Sequence, residues 1–317
     1  ASRALEILEK LKSDPKPFFF AVGFSKPHLP FVSPKKYWDL YKREDMMVAP
    51  FQEKAKNSVD VAFHNSGEMR GYSDIPPIVS FTDQKDFGVT LPLEKQKELI
   101  HGYYAAISYT DANVGKLLDA LDSLGLTKNT IIVLWGDHGW HLGDHNLWCK
   151  HTNFEEATRA PLIIAAPGFK PSKTSSQTEH IDIFPTLCDL AGVNIPAILD
   201  GKSLVPIMKN PAASVKEYSV SQYPRSNATA ENERLGYADA NAMGYSIRTK
   251  QYRYTMWMSN GFRSSKPFDS KLIIGTELYD YKKDPLETVN VANEKKYAAV
   301  SKQMNAKMMA FLKSQVK

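Results

Sequence analysis

Cysteine is scarce in this chain of 317 residues: it occurs twice, as Cys149 and Cys188. Two thiols are too few for a disulfide framework and have no zinc-like spacing, so they read as separate, with Cys188 buried on a helix. Long hydrophobic runs are missing too. No apolar stretch approaches the roughly 18 residues of a membrane-crossing helix. Dense Lys/Arg blocks interleaved with aromatics are absent, which argues against nucleic acid as a partner. Repeats, low-complexity tracts and a signal-peptide pattern are not found either. The chain also lacks an initial Met and opens on Ala1-Ser2-Arg3, inside an amphipathic helix that carries Leu5, Ile7, Leu8 and Leu11. A start inside such an element is expected of a processed or truncated chain.

What is present is an ordinary globular composition. Hydrophobic residues make up 43% and charged ones 24%, enough for a sizeable core. The length suits one large domain, alone or with a small companion. The net charge of +5 is mild. It would suit a sulfated polysaccharide and does not exclude a neutral ligand.

Along the chain, residues 18–23 (FFFAVG) form a short apolar run between Pro17 and a glycine, which predicts a buried strand. Residues 43–90 are polar, rich in Pro and Asp and poorly periodic, and read as a long surface excursion. From Leu93 to Leu126 apolar residues recur at helical spacing, and Gly125 supplies the stop. Residues 131–135 and 161–166 predict two more buried strands with a polar, His-rich loop between them. Residues 181–192 predict a short helix that ends at a glycine. This alternation is the rhythm of an α/β domain with a largely parallel sheet, whose ligand site lies beyond the strand carboxyl ends. Both His28 and the 136–153 loop fall at that edge. Short aromatic strands follow at 218–223, 245–248, 252–258 and 277–281, and a last helix at about 293–314. They predict a smaller antiparallel sheet with a packed helix. The expected division is 1–205 and 206–317.

The densest chemical cluster is residues 135–145, WGDHGWHLGDH. Asp137 and His138 follow a strand in a Gly-flanked turn that can aim a carboxylate and an imidazole at one divalent cation. The same pattern also suits a solvated loop. His141 and His145 stand at i, i+4 and are second-tier ligand candidates, since nothing places them on a helix. Lys150 can anchor a tetrahedral oxyanion near a metal, although a lone lysine is as a rule a surface charge. His28 sits between Pro27 and Pro30, a stiffened loop that suits a catalytic histidine or a plain corner.

Several blocks together resemble the sulfatase family, in its iduronate-2-sulfatase branch. They are residues 17–31 (PFFFAVGFSKPHLPF), 136–153 (GDHGWHLGDHNLWCKHTN), 181–192 (IDIFPTLCDLAG), 221–225 (SQYPR), 243–254 (MGYSIRTKQYRY) and 277–293. The resemblance spans nearly the whole chain in the correct order. It implies an alkaline-phosphatase/sulfatase-like α/β fold, with a mixed sheet flanked by helices and a smaller C-terminal antiparallel sheet. It further implies a bound Ca²⁺ with Asp137 and His138 as ligands, Lys150 on the sulfate, and His28 as proton donor to the leaving oxygen. Trp140 and Trp148 would lie near the pocket mouth, unless they serve simple packing. Arg225 is a candidate for a sugar carboxylate, because a guanidinium can grip one bidentately; a structural ion pair is the competing role.

The resemblance breaks at one point. Family sulfatases attack sulfur with a formylglycine made from Cys or Ser in a Cys/Ser-x-Pro-x-Arg motif, and this motif does not occur here. Cys149 is followed by Lys-His-Thr-Asn and Cys188 by Asp-Leu-Ala-Gly, so neither can stand in. The expectation is a sulfatase for 2-O-sulfated uronic acids of a polysaccharide that needs an N-terminal chain or segment as partner. The alternatives are a phosphodiesterase or phosphonate hydrolase of the same superfamily, and a non-catalytic glycan-binding remnant. Export to the periplasm, cell surface, exterior or lysosome is implied by the family. The sequon Asn227-Ala228-Thr229 decides nothing.

Overall fold

Leucine and alanine spacing makes the first element. Helix α1 (Ser2–Lys12) buries Ala4 and Leu8 on one face and ends with Lys10 and Lys12 in its last turn, where cations suit the helix dipole. The computed structural model describes residues 1–64, 66–75, 91–225, 242–259 and 269–315. The sequon lies outside them, as do residues 76–90 of the expected surface excursion.

Helix α2 (Lys35–Trp38) and helix α3 (Gly67–Arg70) are single turns. Helix α4 (Leu93–Ser123) follows Pro92 and stops before Gly125, whose φ of 71° a side chain would resist. It buries Leu99, Ile100, Ala105, Ala106 and Leu121. At Gly102 a Cβ would come within 2.9 Å of the Trp38 ring and 3.0 Å of Phe31 Cβ. A glycine there lets α4 lie directly against the loop that carries His28.

Strand β1 (Ile132–Trp135) pairs with β4 (Leu162–Ala165), and the ladder is antiparallel. The expected parallel arrangement is not seen: every ladder between named strands among the described residues is antiparallel. A parallel crossover needs a connection that traverses the sheet, by rule a helix of several turns. Here the connection carries only the tiny hairpin of β2 (His141–Leu142) and β3 (Trp148–Cys149) and the four-residue helix α5 (Glu155–Thr158).

The expected buried strand at 18–23 also fails. The segment takes no strand pairing, and Phe19 is 83% exposed. Apolar content marks a segment that favours cover, but a strand also needs a neighbour to complete its ladder. Residues 43–75 depart from a surface excursion in the other direction, since Met46, Ala55, Ala62, Phe63, Met69 and Ile75 are buried. Cys188, expected to be buried, is only partly so on helix α6 (Ile183–Leu190), whereas Cys149 is buried.

After α7 (Val205–Lys209), strands β5 (Ser219–Arg225), β6 (Ala242–Arg248), β7 (Tyr252–Met258) and β8 (Ile273–Asp280) form an antiparallel meander in that order. Helix α8 (Ala298–Ser314) lays Met304, Met308 and Leu312 on Ile247, Met256 and Leu278. Each such buried side chain contributes about 1.5–3 kcal/mol. Phe63, Phe154, Trp257 and Tyr279 form a second buried cluster that joins the site loop to this sheet. Arg253 spans the same boundary, donating to Glu287 Oε1 at 2.7 Å and Glu155 Oε2 at 2.6 Å. The described fold is thus mixed α/β with a small antiparallel sheet and a C-terminal helix.

Candidate functional site

The β2–β3 hairpin turns back on itself through Gly143, at φ 103°, and through His145 and Asn146, at φ 53° and 57°. This delivers Lys150 beside Trp140, with its Nζ 5.1 Å from the ring. From the other side comes His28, whose loop is tied down by Lys26 Nζ donating to His28 O and Pro30 O, and by Thr110 Oγ1 donating to Lys26 O. Lys150 Nζ lies 2.9 Å from His28 Nε2. His28 Nδ1 sits 2.8 Å from Leu29 O, so that nitrogen carries a proton and Nε2 is the working one. Trp140 is the hub: its ring meets His28 at 5.6 Å and 73°, His138 at 6.0 Å and 30°, and Tyr103 at 6.0 Å and 27°. Four expected residues, His28, His138, Trp140 and Lys150, are therefore gathered in one place.

Two residues there were not foreseen. Glu68, on α3, takes Lys150 Nζ on both carboxylate oxygens, at 2.6 and 2.8 Å, and faces His28 Nε2 at 2.8 Å. Burial alone would raise its carboxyl, but the Lys150 hydrogen bond and charge, aided by His151 and His28, outweigh burial and hold it below the usual value. His151 Nε2 stands 3.7 Å from Glu68. Its burial, with Lys150 and Arg225 nearby, pulls its imidazole down to about 4 despite the Glu68 charge. No sequence signal marked Glu68, because α3 lies in a stretch without periodicity. His151 follows Lys150 directly and was within reach of the same motif.

Asp137 and His138 leave the end of β1 as expected. His138 Nδ1 is 2.7 Å from Gly139 O and so carries the proton, which leaves the Nε2 lone pair 3.6 Å from Asp137 Oδ2. Two donors at that separation can share one cation with bonds of about 2.0–2.6 Å. The tautomer and the spacing thus fit the divalent cation that the resemblance implies. Asp137 is open to solvent, with 78% of its side chain exposed, so further ligands can reach the pair.

Other expected residues stand elsewhere. His141 is fully buried, between Asp144 at Nδ1 and Thr152 Oγ1 at Nε2, the latter 2.7 Å away. His145 stacks on Phe154 at 4.4 Å and meets Glu287 O at 3.1 Å. The two imidazoles are built into the base of the loop and do not join Asp137 and His138, because residues 141–145 run through a strand and a turn and offer no shared helical face. His141, Asp144 and Glu156 do bring one ligand atom each within 4.8 Å of one another. Trp148 is buried among Leu29, Leu99 and Met69, which makes it core and not pocket rim. Arg225 is 8% exposed and donates to Val61 O at 3.0 Å and Ala62 O at 2.9 Å. A guanidinium so held by backbone carbonyls is not presented to a sugar carboxylate. It lies over Tyr223, which meets His151 at 5.6 Å. Burial, then the Glu68 charge, pushes the Cys149 thiol far up, so it is no nucleophile.

Among the described residues no helix is long and apolar enough to cross a membrane. Comparison with known proteins gives the family. Residues 1–193 match the family model described as sulfatase, and residues 143–314 the model described as N-sulphoglucosamine sulphohydrolase, C-terminal. Human iduronate 2-sulfatase is 33% identical over 343 residues, covering 92% of this chain and 61% of its own length. A Delta 4,5-hexuronate-2-O-sulfatase of Bacteroides thetaiotaomicron is 30% identical over 245 residues, covering 74% of this chain and 46% of its own. Among solved structures, a phosphonate monoester hydrolase of Agrobacterium radiobacter superposes with a TM-score of 0.72 at 26% identity, over 98% of this chain and 60% of its own. The chain thus spans about three fifths of the length of the human relative. By the match over its first 193 residues and the human relative's identity across 92% of the chain, this protein belongs to the sulfatase family.

Proposed function

We propose that this chain carries the anion-binding and proton-donating groups of a sulfuric ester hydrolase acting on sulfated saccharides, with 2-O-sulfated uronic acid of the iduronate type as substrate. The observation that carries the reading is the meeting of Lys150 Nζ and His28 Nε2, 2.9 Å apart, beside Trp140. Lys150 would neutralise sulfate oxygens as charge develops. His28, with Nδ1 tied to Leu29 O, would take up a proton from solvent at Nε2, where it otherwise accepts from Lys150, and pass it to the departing sugar oxygen. A Ca²⁺ held by Asp137, His138 and further ligands would add charge neutralisation at the same oxygens. The names of the two relatives, one an iduronate and one a hexuronate sulfatase, favour a uronic acid.

The nucleophile is proposed to come from an N-terminal sulfatase segment that carries formylglycine. Two observations support this. The Cys/Ser-x-Pro-x-Arg motif does not occur in the 317 residues. Trp135 on β1, Ile163 on β4, Ile181 just before α6 and Phe184 on α6 stand exposed, apolar side chains of the kind that another layer covers. Export from the cytoplasm is part of the same proposal and rests on the family alone.

The test is sulfate release from a 2-O-sulfated uronate disaccharide, measured for the chain alone and joined to such a segment. Activity only in the joined form supports the reading. Glycan binding without turnover in either form would make the chain a binding remnant. The solved phosphonate monoester hydrolase favours a second reading, hydrolysis of phosphonate or phosphodiester substrates. Metal analysis separates the two, with Ca²⁺ expected for the first and Zn²⁺ or Mn²⁺ for the second.

A further inference from the structure

We propose that Glu68 is an internal occupant of the anion site: its carboxylate takes the place of the substrate's sulfate oxygens and must leave Lys150 and His28 for substrate to bind. The inference rests on the anion-site reading given above and goes beyond it, to what sets the site's affinity.

The argument is one of hydrogen-bonding capacity. An ammonium has three N–H donors. Two of those of Lys150 point at Glu68, at 2.6 and 2.8 Å, and the third partner is His28 Nε2 at 2.9 Å. His28 has two ring nitrogens. Nδ1 gives its proton to Leu29 O at 2.8 Å, and Nε2 accepts the third Lys150 proton, with Glu68 Oε1 2.8 Å away. Neither group therefore has a donor left for an added oxyanion. A carboxylate and the free oxygens of a sulfate ester make the same demand on these donors, so the two compete for one position. Glu68 is also reachable, since 22% of its side chain is exposed against 16% for Lys150.

The position of α3 is fixed from below, which leaves the side chain as the moving part. Ser66 Oγ accepts from Trp148 N at 3.1 Å, anchoring the start of α3 to β3. Rotation of the Glu68 side chain alone would clear Lys150. An internal competitor lowers the apparent affinity for a ligand by the fraction of molecules in which the site is open.

The test uses inorganic sulfate as probe and the chain itself as protein, by isothermal titration calorimetry in a buffer free of other oxyanions. Thermal melts of every variant check that it is folded. Glu68→Gln keeps the side chain's shape and removes its charge, and should bind sulfate about tenfold more tightly than the parent chain. Glu68→Asp, which shortens the reach to Lys150, should fall between the two. Lys150→Gln should lose binding. Sulfate binding in Glu68→Gln that is unchanged or weaker, with binding still lost in Lys150→Gln, overturns the inference and leaves the anion site standing. Undiminished binding in Lys150→Gln removes the anion site and this inference with it.

Discussion

Lys150 Nζ and His28 Nε2 lie 2.9 Å apart, and the contact is a hydrogen bond in which the lysine donates. The geometry allows this because the other imidazole nitrogen gives its proton to Leu29 O. A nitrogen-to-nitrogen bond of this kind couples the two groups, so each sets where the other points.

On the proposed function, both side chains are expected to be needed for turnover in the joined enzyme. His28→Ala is expected to lower kcat by about 10²–10⁴-fold through loss of the proton donor. Lys150→Ala is expected to lower it by about 10²–10³-fold through loss of charge stabilisation. Steady-state kinetics on a sulfated uronate disaccharide decides, and a variant within about twofold of the parent rate would remove that residue from the mechanism.

His151 is expected to remain neutral through the physiological range. Burial, with Lys150 and Arg225 adding, pulls its imidazole down to about 4 from 6.5. A lowered histidine favours the folded state above its unfolded value, and that contribution is lost as pH falls through about 4. Two-dimensional NMR of the imidazole nitrogens follows the titration directly. A midpoint near 6.5 would contradict the packing described for Glu68, Lys150 and Tyr223.

Gly139 is expected to tolerate no side chain. A Cβ there would sit 1.9 Å from Glu156 O and 2.9 Å from Arg159 O, both backbone atoms with no freedom to yield. Gly139→Ala should cost about 2–4 kcal/mol and displace Asp137 and His138, which immediately precede it. Thermal melts and divalent-cation titration should both register the change. A melting temperature within about 1 °C of the parent would show that the turn relaxes freely.

Glu277 links stability to pH between the mildly acidic and the neutral range. It accepts from Trp257 Nε1 and Tyr279 OH at 2.9 and 2.8 Å, yet burial dominates and raises its carboxyl to about 7 from 4.5. The folded state holds the extra proton between those two values. Stability is therefore full below 4.5 and declines as pH rises through about 7. The loss is on the order of 3 kcal/mol. Glu277→Gln should flatten this slope relative to the parent chain, and denaturant melts at pH values from about 5 to about 8.5 compare the two. Parallel curves would mean that the carboxyl stays ionised.

Much of the fold is legible in the residues. Helical spacing and Gly125 place α4 at Leu93–Ser123, and Gly192, at φ 67°, closes the turn after α6. Alternating aromatics place β5, β6, β7 and β8 within a few residues of where they lie. These elements are readable because their stabilising interactions are local or face a single core. Residues 18–23 mislead for the opposite reason: a strand depends on its neighbour, and apolar character says nothing of whether one is there.

The site divides in the same way. The sequence by itself determined the chemical types, the turn that aims Asp137 and His138 outward, and the motifs that resemble the sulfatase family. Only the tertiary structure decided which groups meet. Lys150 is 122 positions from His28 and 82 from Glu68, and no local rule spans such separations. His141, His145, Trp148 and Arg225 carry the right chemistry for a site, but burial commits them to carbonyls, carboxylates and aromatic rings. Glu68 carries no signature in the sequence and yet touches both working groups. A side chain's role here follows from what desolvates it and what it faces, and both are set by packing between distant segments.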